Sequence, residues 1–223
     1  YSFTTNGFPD YPKLGVWGNS YFITTNSTSP MIYALNRTSM LAGSGTGTVQ
    51  QFALTKFPSI GFQAASPVTQ TGSTVPPAGS PASVIRVADD AWGTSVGADH
   101  LEIFKLNISW TNPASSTISG PFNISTAAYN SSLCGFGSSS CIPQPNTTTK
   151  LDPLSDILMD KVQYRNFGNY ESIVCSHVCN ADGLGKAGVR WYELRKDANG
   201  NWIIYQQSTF SPDATNRFMS SIS

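Results

Sequence analysis

The residues with the clearest potential for chemistry are the four cysteines, which fall in two close pairs. Cys134 and Cys141 flank the flexible stretch GFGSSS, so a disulfide between them would close a small loop. Cys175 and Cys179 flank SHV, and a disulfide there needs a turn or bulge, because a straight strand holds the two Cα atoms too far apart. The alternative is a zinc site that includes His177, although the spacing is not that of a zinc finger and no fourth ligand is evident. The even count indicates an oxidising compartment, and both disulfides are predicted.

Two acidic pairs are the next candidates, for metal binding or acid–base chemistry. Asp89-Asp90 and Asp99-His100 each place two polar side chains next to each other. Neighbouring strand residues point to opposite faces, so neither pair is expected to act as a catalytic dyad. Carboxylates on loops are the ligands that Ca²⁺ prefers, which makes Asp89 and Asp90 the candidates for a structural calcium ion. The sequence has no phosphate-binding loop, no Gly-x-Ser-x-Gly and no His-Glu-x-x-His, and no other cofactor is predicted.

The third chemical signal is the sequon Asn-x-Ser/Thr, which accepts N-linked glycans where the source organism makes them. The number of sequons is a modest excess over chance for a chain this rich in Ser and Thr. Two of them lie in strand-like runs and need an outward-facing side chain, where a glycan would shield exposed sheet edges. The six predicted sites are Asn26, Asn36, Asn107, Asn123, Asn130 and Asn146.

These groups must be positioned by strands, because helix signals are nearly absent. The stretch RWYELRKDANGNWIIYQQSTF at 190–210 alternates large and polar residues on both sides of an Asn-Gly turn, which predicts an antiparallel hairpin. Similar alternation along the whole chain predicts an all-β fold. The single candidate helix is LDPLSDILMDKV at 151–162. The segment 64–81 is rich in Pro, Thr, Ser and Gly and is predicted to be a long surface loop.

A coarse repeat groups the strands into larger units, near residues 15–57, 82–125 and 161–210. Such a repeat predicts the blades of a β-propeller, in one region over 1–223 with about three to four blades. A propeller ring must close to cover its edge strands, so further blades are expected from a longer chain or a partner. The chain opens on Tyr1 rather than Met, which we interpret as a processed or internal fragment.

Composition narrows the classes of function. Charged residues make up 12% of the chain and the formal net charge is zero, which argues against nucleic acid as a partner, because phosphates call for a basic surface. No run of about 18 apolar residues occurs, so no membrane span is predicted. A surface of Ser, Thr, Asn, Gln and Gly is typical of secreted proteins and of proteins in assemblies. An extracellular or cell-surface location is predicted.

Six stretches follow one another in a specific order over nearly the whole chain. They are DYPKLGVWGNSYFITTN at 10–26, YALNRTSMLAG at 33–43, CIPQP at 141–145, LDPLSDILMDKVQYRNFGNYESIV at 151–174, GVRWYELR at 188–195 and IIYQQSTFSPDATNRFMSSIS at 203–223. In this order they resemble large secreted microbial proteins with a sialidase-like β-propeller. Within the last stretch, SPDATNRF resembles a degenerate copy of the Asp-box turn of these propellers. The resemblance implies an extracellular propeller and little about activity, because Asp boxes stabilise turns away from the active site.

A sialidase would need three clustered arginines, a tyrosine nucleophile with a glutamate and an acidic proton donor. Tyr164 adjoins an arginine, but nothing in the spacing of the arginines selects a triad. The arginines are Arg37, Arg86, Arg165, Arg190, Arg195 and Arg217.

The leading hypothesis is a non-enzymatic, glycosylated, extracellular β-propeller with a structural or adhesive role, such as a subunit of a surface fibre or appendage. Its expected partners are other copies of itself or cell-surface proteins and glycans. Two alternatives stay open. One is a sialidase-like glycoside hydrolase, and the other is a carbohydrate- or protein-binding module that uses Trp17, Trp92 and Trp110.

Overall fold

The computed structural model describes residues 1–5, 7–27, 31–43, 47–58, 62, 64–93, 95–135 and 140–223. Its strands fall into three consecutive units of four. Unit 1 contains β1 (Asp10–Trp17), β2 (Ser20–Asn26), β3 (Met31–Asn36) and β4 (Val49–Ala53). Unit 2 contains β5 (Ser66–Thr71), β6 (Ala82–Ala88), β7 (His100–Asn107) and β8 (Thr117–Ser125). Unit 3 contains β9 (Val162–Asn166), β10 (Glu171–Asn180), β11 (Ala187–Lys196) and β12 (Trp202–Phe210). The short helix α1 (Arg37–Leu41) and 3-10 turns at Asp90–Trp92 and Pro113–Ser115 complete the described elements.

Within each unit, strands that follow each other in the chain pair antiparallel. Unit 1 is a separate four-stranded sheet, whereas units 2 and 3 join through a parallel β5–β9 pair into one eight-stranded sheet. That sheet curls into a half-barrel, and its edge strands β8 and β12 approach each other. Strand β1 packs beside β5, so the first strands of all three units lie next to one another. The all-β class is confirmed. Units 1 and 3 overlap two units of the repeat seen in the sequence, whereas unit 2 begins at Ser66 rather than near residue 82.

Strand alternation gives unit 2 an apolar surface on both faces, because it lies between the other two units. Val84 and Phe104 pair across β6 and β7 on the face toward unit 1. Ile103 and Ile124, on the opposite face, line a small cavity with Trp202 of unit 3. The core therefore runs as two layers, one on each side of unit 2, and is joined in one cluster of buried residues.

A smaller core lies beside the segment that connects units 2 and 3. It contains Leu133, Ile142, Ile157, Met159 and Val178, all of them buried. Residues 151–162, all of which the structure describes, form no helix, so the helix predicted there is wrong. Three successive residues, 157 to 159, are buried there. An amphipathic helix would turn at least one of them toward solvent.

The prediction of a surface loop at 64–81 is wrong for its first part. Residues 64–69 are buried, and β5 lies in the middle of the curled sheet between β6 and β9. Gly15 of β1 makes room for this strand, since a Cβ there would lie 2.9 Å from the Pro67 side chain. The central strand was not predicted because its proline and threonine residues interrupt the continuous apolar run that is expected of a buried strand. Residues 72–81 do form a loop.

Candidate functional site

The two cysteine pairs have different outcomes. Cys134 and Cys141 form a disulfide, as predicted. Cys175 and Cys179 are both free and buried, so the second predicted disulfide is wrong. The reason is that β10 pairs with β11 in unbroken register through this region. Four residues of straight strand separate two Cα atoms by about 13 Å, far beyond the span of a disulfide.

His177, between those cysteines, is a structural group in a buried aromatic site. Its Nδ1 lies 2.9 Å from the Val178 carbonyl oxygen and its Nε2 lies 3.0 Å from the Tyr192 hydroxyl. Nδ1 must therefore donate, and Nε2 accepts from Tyr192. Burial lowers the pKa of His177 to about 3, so the imidazole is neutral at physiological pH. Neither the thiols nor this imidazole belong to a cluster of potential metal ligands among the described residues.

The acidic candidates Asp89 and Asp90 are brought together with Asp99, and their oxygens lie within 4.8 Å of one another. Asp89 accepts hydrogen bonds from the backbone N–H groups of Ala91 and Ser131. Asp99 accepts from those of Asp90 and Tyr129, and burial raises its pKa. All four carboxylate oxygens of Asp89 and Asp99 are thus oriented by N–H donors, which fasten the β6–β7 connection to residues 129–131. A calcium ion at Asp89 and Asp90 stays a prediction.

A tyrosine and a glutamate, the pair that a sialidase needs, contact each other in this structure. The three arginines that a sialidase also needs do not join them. The Tyr164 hydroxyl donates to Glu171 at 2.7 Å, and burial raises the pKa of Tyr164 well above its usual value. A hydroxyl that keeps its proton is a poor nucleophile. Each arginine instead has its own partner: Arg37 with Gly18, Arg86 with Glu102, Arg165 with Phe167, Arg190 with Gln207, Arg195 with Glu193 and Arg217 with Asp213.

The three candidate tryptophans do not form one platform. Trp92 is buried in the core, where its indole N–H donates to the Ser131 hydroxyl. Trp110 donates to Ser20 at 3.1 Å and packs on the core from the β7–β8 connection. Trp17 lines a cleft at the end of β1. Of the three, Trp17 is the one placed at a concave surface.

The cleft beside Trp17 has a volume of about 830 Å³ and lies at the junction of units 1 and 2. Three stretches that are distant in sequence surround it. The β1–β2 turn supplies residues 17–20, the β5–β6 loop supplies 75–81, and the end of β7 with the following residues supplies 106–109. Sequence reasoning singled out Trp17 but missed the cleft, because no local signal indicates that these turns meet.

Gly18 joins the polar groups of the cleft. Its N–H donates to Oε1 of Gln70 at 3.3 Å, and its carbonyl accepts from Arg37 at 3.5 Å. Its positive φ of 55° fits the tight β1–β2 turn. Asn19, next in the chain, is exposed at the rim. The cleft therefore places one guanidinium and two amide side chains around one turn.

The six sequons differ in accessibility. Asn107, Asn123, Asn130 and Asn146 are exposed, whereas the other two are half-buried. The Nδ2 of Asn26 donates to Asp10 at 3.1 Å, and Asn36 caps α1 by accepting from the Ser39 N–H. The hydrogen bond that the Asn36 side chain accepts is typical of an N-cap residue.

Expression in a host that N-glycosylates is expected to give glycans at the four exposed sequons and none at Asn26. Attachment to Nδ2 of Asn26 would remove its hydrogen bond to Asp10 and place a bulky group on a half-buried position. Glycopeptide mapping by mass spectrometry measures the occupancy of each site. Equal occupancy at Asn26 and at the exposed sites would contradict this prediction.

Among the residues that the structure describes, no helix has the length and apolar character needed to cross a membrane. No family model, no curated protein and no solved structure matches the chain.

Proposed function

We propose that this chain is an extracellular structural and adhesive module of the β-propeller type, which associates with a second copy of itself. The observation that carries the proposal is the adjacency of the first strands of the three units, with apolar side chains exposed on the outer faces of units 1 and 3. First strands lie beside first strands at both internal junctions, β1 beside β5 and β5 beside β9. A propeller brings its blades together in this way around an axis.

The outer face of unit 3 is one of the two leftover faces. Tyr205 and Ile203 are 57% and 45% exposed, and the Arg195 guanidinium lies 3.6 Å from the centre of the Tyr205 ring. Trp191 and Phe210 line a groove of about 710 Å³ on the same face, together with Asn216, Phe218 and Ile222 of the same chain.

The outer face of unit 1 is the second one. Leu14 is 64% exposed and lies opposite Ile23, and Val16 lies opposite Tyr21. The residues between them in sequence, such as Gly15, point the other way and contact β5. The exposed apolar stripe of unit 1 is confined to β1 and β2, because Tyr33 and Leu35, which continue this face on β3, are buried.

The two outer faces belong to different units. A contact between the unit 3 face of one copy and the unit 1 face of another copy is therefore head-to-tail. Head-to-tail contacts close into rings or continue as fibres, depending on the rotation between copies. Two copies would supply six four-stranded units, enough for a closed propeller, and closure would cover the edges and faces that one copy leaves open. The neutral, Ser/Thr-rich surface with exposed sequons is the surface that such an extracellular assembly presents.

Substitution tests this assembly. Leu14→Glu and Tyr205→Glu each place a carboxylate in the proposed contact, so each is expected to shift the protein from dimer to monomer, by tenfold or more in the dissociation constant. Analytical ultracentrifugation over a concentration series measures that constant. Leu184→Glu is the matched control, because Leu184 is 91% exposed in the β10–β11 turn and lies on neither face.

Three results would change the proposal. A monomeric wild-type protein at every concentration would exclude the second copy as partner. Open-ended oligomers would replace the ring by a fibre. Hydrolysis of a sialoside panel that is lost in Tyr164→Phe would favour the glycoside hydrolase, since Tyr164 and Glu171 are its best-placed pair.

A further inference from the structure

We propose that the cleft beside Trp17 binds an acidic saccharide, whose carboxylate accepts hydrogen bonds from Arg37. This inference deepens the adhesive part of the proposed function and gives that function a ligand class. The cleft is about 830 Å³, within the range of sites that hold ligands of a few sugar units.

The walls of the cleft are fixed by contacts on both sides of the β5–β6 loop. The Trp17 indole N–H donates to the Ser80 carbonyl at 3.1 Å, which ties the loop to unit 1. Asn166 donates to the Val75 carbonyl at 2.8 Å, which ties the same loop to unit 3. Three prolines, at positions 76, 77 and 81, further restrict its backbone. A site with preformed walls loses little entropy on binding.

The polar groups around Gly18 favour a ligand rich in acceptors. Gln70 uses its Oε1 for the Gly18 N–H, which leaves its Nε2 donors for a ligand. Arg37 is half-buried, and its one hydrogen bond among the described residues is the 3.5 Å contact with Gly18. Asn19 offers a second amide at the rim. Guanidinium and amide donors arranged in this way suit a carboxylate and its neighbouring hydroxyl groups.

The charge of the cleft lining also favours an acidic ligand. Among the residues that the structure describes, the lining of the cleft includes Arg37 and no aspartate or glutamate. An anionic ligand therefore meets attraction without an opposing carboxylate in the lining. The apolar part of the lining, with Trp17, Val75 and Pro77, offers C–H and ring surface to the less polar faces of a sugar.

A peptide fits this lining less well than a saccharide. Extended peptides bind by adding a strand to an exposed sheet edge, and helical ones need a long apolar groove. The cleft is bordered by two turns and a loop, so it presents neither of these features. The sugar assignment therefore rests on the shape of the borders as well as on the donors.

Asn107 gives the cleft a further property, because this exposed sequon lines it. A glycan on Asn107 would lie at the mouth and compete with a free saccharide. The binding experiment therefore uses protein made in a bacterial host, in which Asn107 is bare.

The experiment titrates this protein with digalacturonate and with its dimethyl ester, and follows the amide and indole signals by NMR. The acid is expected to bind saturably and to shift the Trp17 indole signal, whereas the uncharged ester is expected to bind at least tenfold more weakly. Arg37→Gln is expected to weaken binding of the acid by about tenfold or more, since a hydrogen bond to a charged group is lost. Arg165→Gln is the matched control, because Arg165 is an exposed arginine outside the cleft.

Equal affinity for the acid and the ester would overturn the carboxylate assignment, as would unchanged binding in Arg37→Gln. An acidic peptide that binds as tightly as digalacturonate would overturn the saccharide assignment. No saturable binding of the acid would overturn the site itself. The Leu14→Glu and Tyr205→Glu variants separate this inference from self-association, since both changes lie away from the cleft and are expected to leave digalacturonate binding unchanged.

Discussion

Acidification from pH 7 to pH 5 is expected to remove about 2 kcal/mol of folding free energy through His177 alone. The side chain is fully buried, and desolvation lowers its pKa in the folded protein to about 3. In the unfolded chain the pKa is about 6.5. Between these values the unfolded state binds one more proton than the folded state, so stability falls by about 1.4 kcal/mol per pH unit below 6.5. The loss ends near pH 3, where the folded imidazole is also protonated.

The measurement is urea unfolding of the wild type and of His177→Gln at pH 7 and pH 5. Glutamine keeps an oxygen that can accept from the Tyr192 hydroxyl but does not titrate. The variant is expected to be less stable at pH 7 and to lose about 2 kcal/mol less than the wild type on acidification. Carboxylates that titrate in both proteins cancel in this difference. Identical pH dependence in the two proteins would show that the folded imidazole takes up its proton at an ordinary pH.

His100 provides the control with the opposite sign. The Glu102 carboxylate, whose oxygen lies 3.7 Å from the imidazole Nε2, raises the pKa of His100 in the folded protein. A raised pKa contributes stability that is fully present below the unfolded value of about 6.5 and is lost as the pH rises through the folded value. His100→Gln is therefore expected to lose more stability than the wild type on acidification, whereas His177→Gln loses less.

Local sequence patterns were sufficient for the all-β class and for hairpins built from residues that are close in the chain. The Asn-Gly turn at 199–200 and the alternation around it predict the β11–β12 hairpin, which the structure contains. The Cys134–Cys141 disulfide follows from the short sequence separation of the two cysteines, which is seven residues. In each of these cases the residues that decide the structure are neighbours in the chain.

Features that depend on distant residues were not accessible in this way. Strand β5 reads as a loop because its burial comes from β6, β9 and β1 rather than from its own composition. The cleft is formed by three stretches that are tens of residues apart. The sequence alone therefore does not show which residues surround Arg37. The strand around Cys175 and Cys179 looked as if it might bend, and only its pairing with β11 keeps it straight.

The buried ion pair of Arg86 and Glu102 also depends on residues that are distant in sequence, since it forms only when β6 and β7 pair in the observed register. The Arg86 Nε and Glu102 Oε2 lie 2.6 Å apart, and the two side chains are 5% and 6% exposed. The Arg86 guanidinium also lies 4.2 Å from the centre of the Phe57 ring. Burial lowers the pKa of Arg86, and the neighbouring glutamate opposes that shift. The charge of Arg86 is therefore tolerated in the core because Glu102 accompanies it.

Removal of one partner is expected to be far worse than removal of both. Glu102→Leu leaves the guanidinium buried without its carboxylate and is expected to lower the free energy of unfolding by about 3–5 kcal/mol. The double variant Arg86→Met, Glu102→Leu removes both charges at similar volume and is expected to recover most of that loss. Asp213→Leu, which breaks the exposed pair with Arg217, is the control and is expected to change stability by about 0.5 kcal/mol or less.

Urea unfolding of these variants and of Arg86→Met alone at pH 8 gives the coupling energy between the two positions. A positive coupling of about 2 kcal/mol or more is expected between the Arg86 and Glu102 substitutions. A cost of Glu102→Leu as small as that of Asp213→Leu would mean that Arg86 reaches solvent once it is released. In that case units 1 and 2 would not pack tightly over this pair, and the two-layered core around unit 2 would need to be revised.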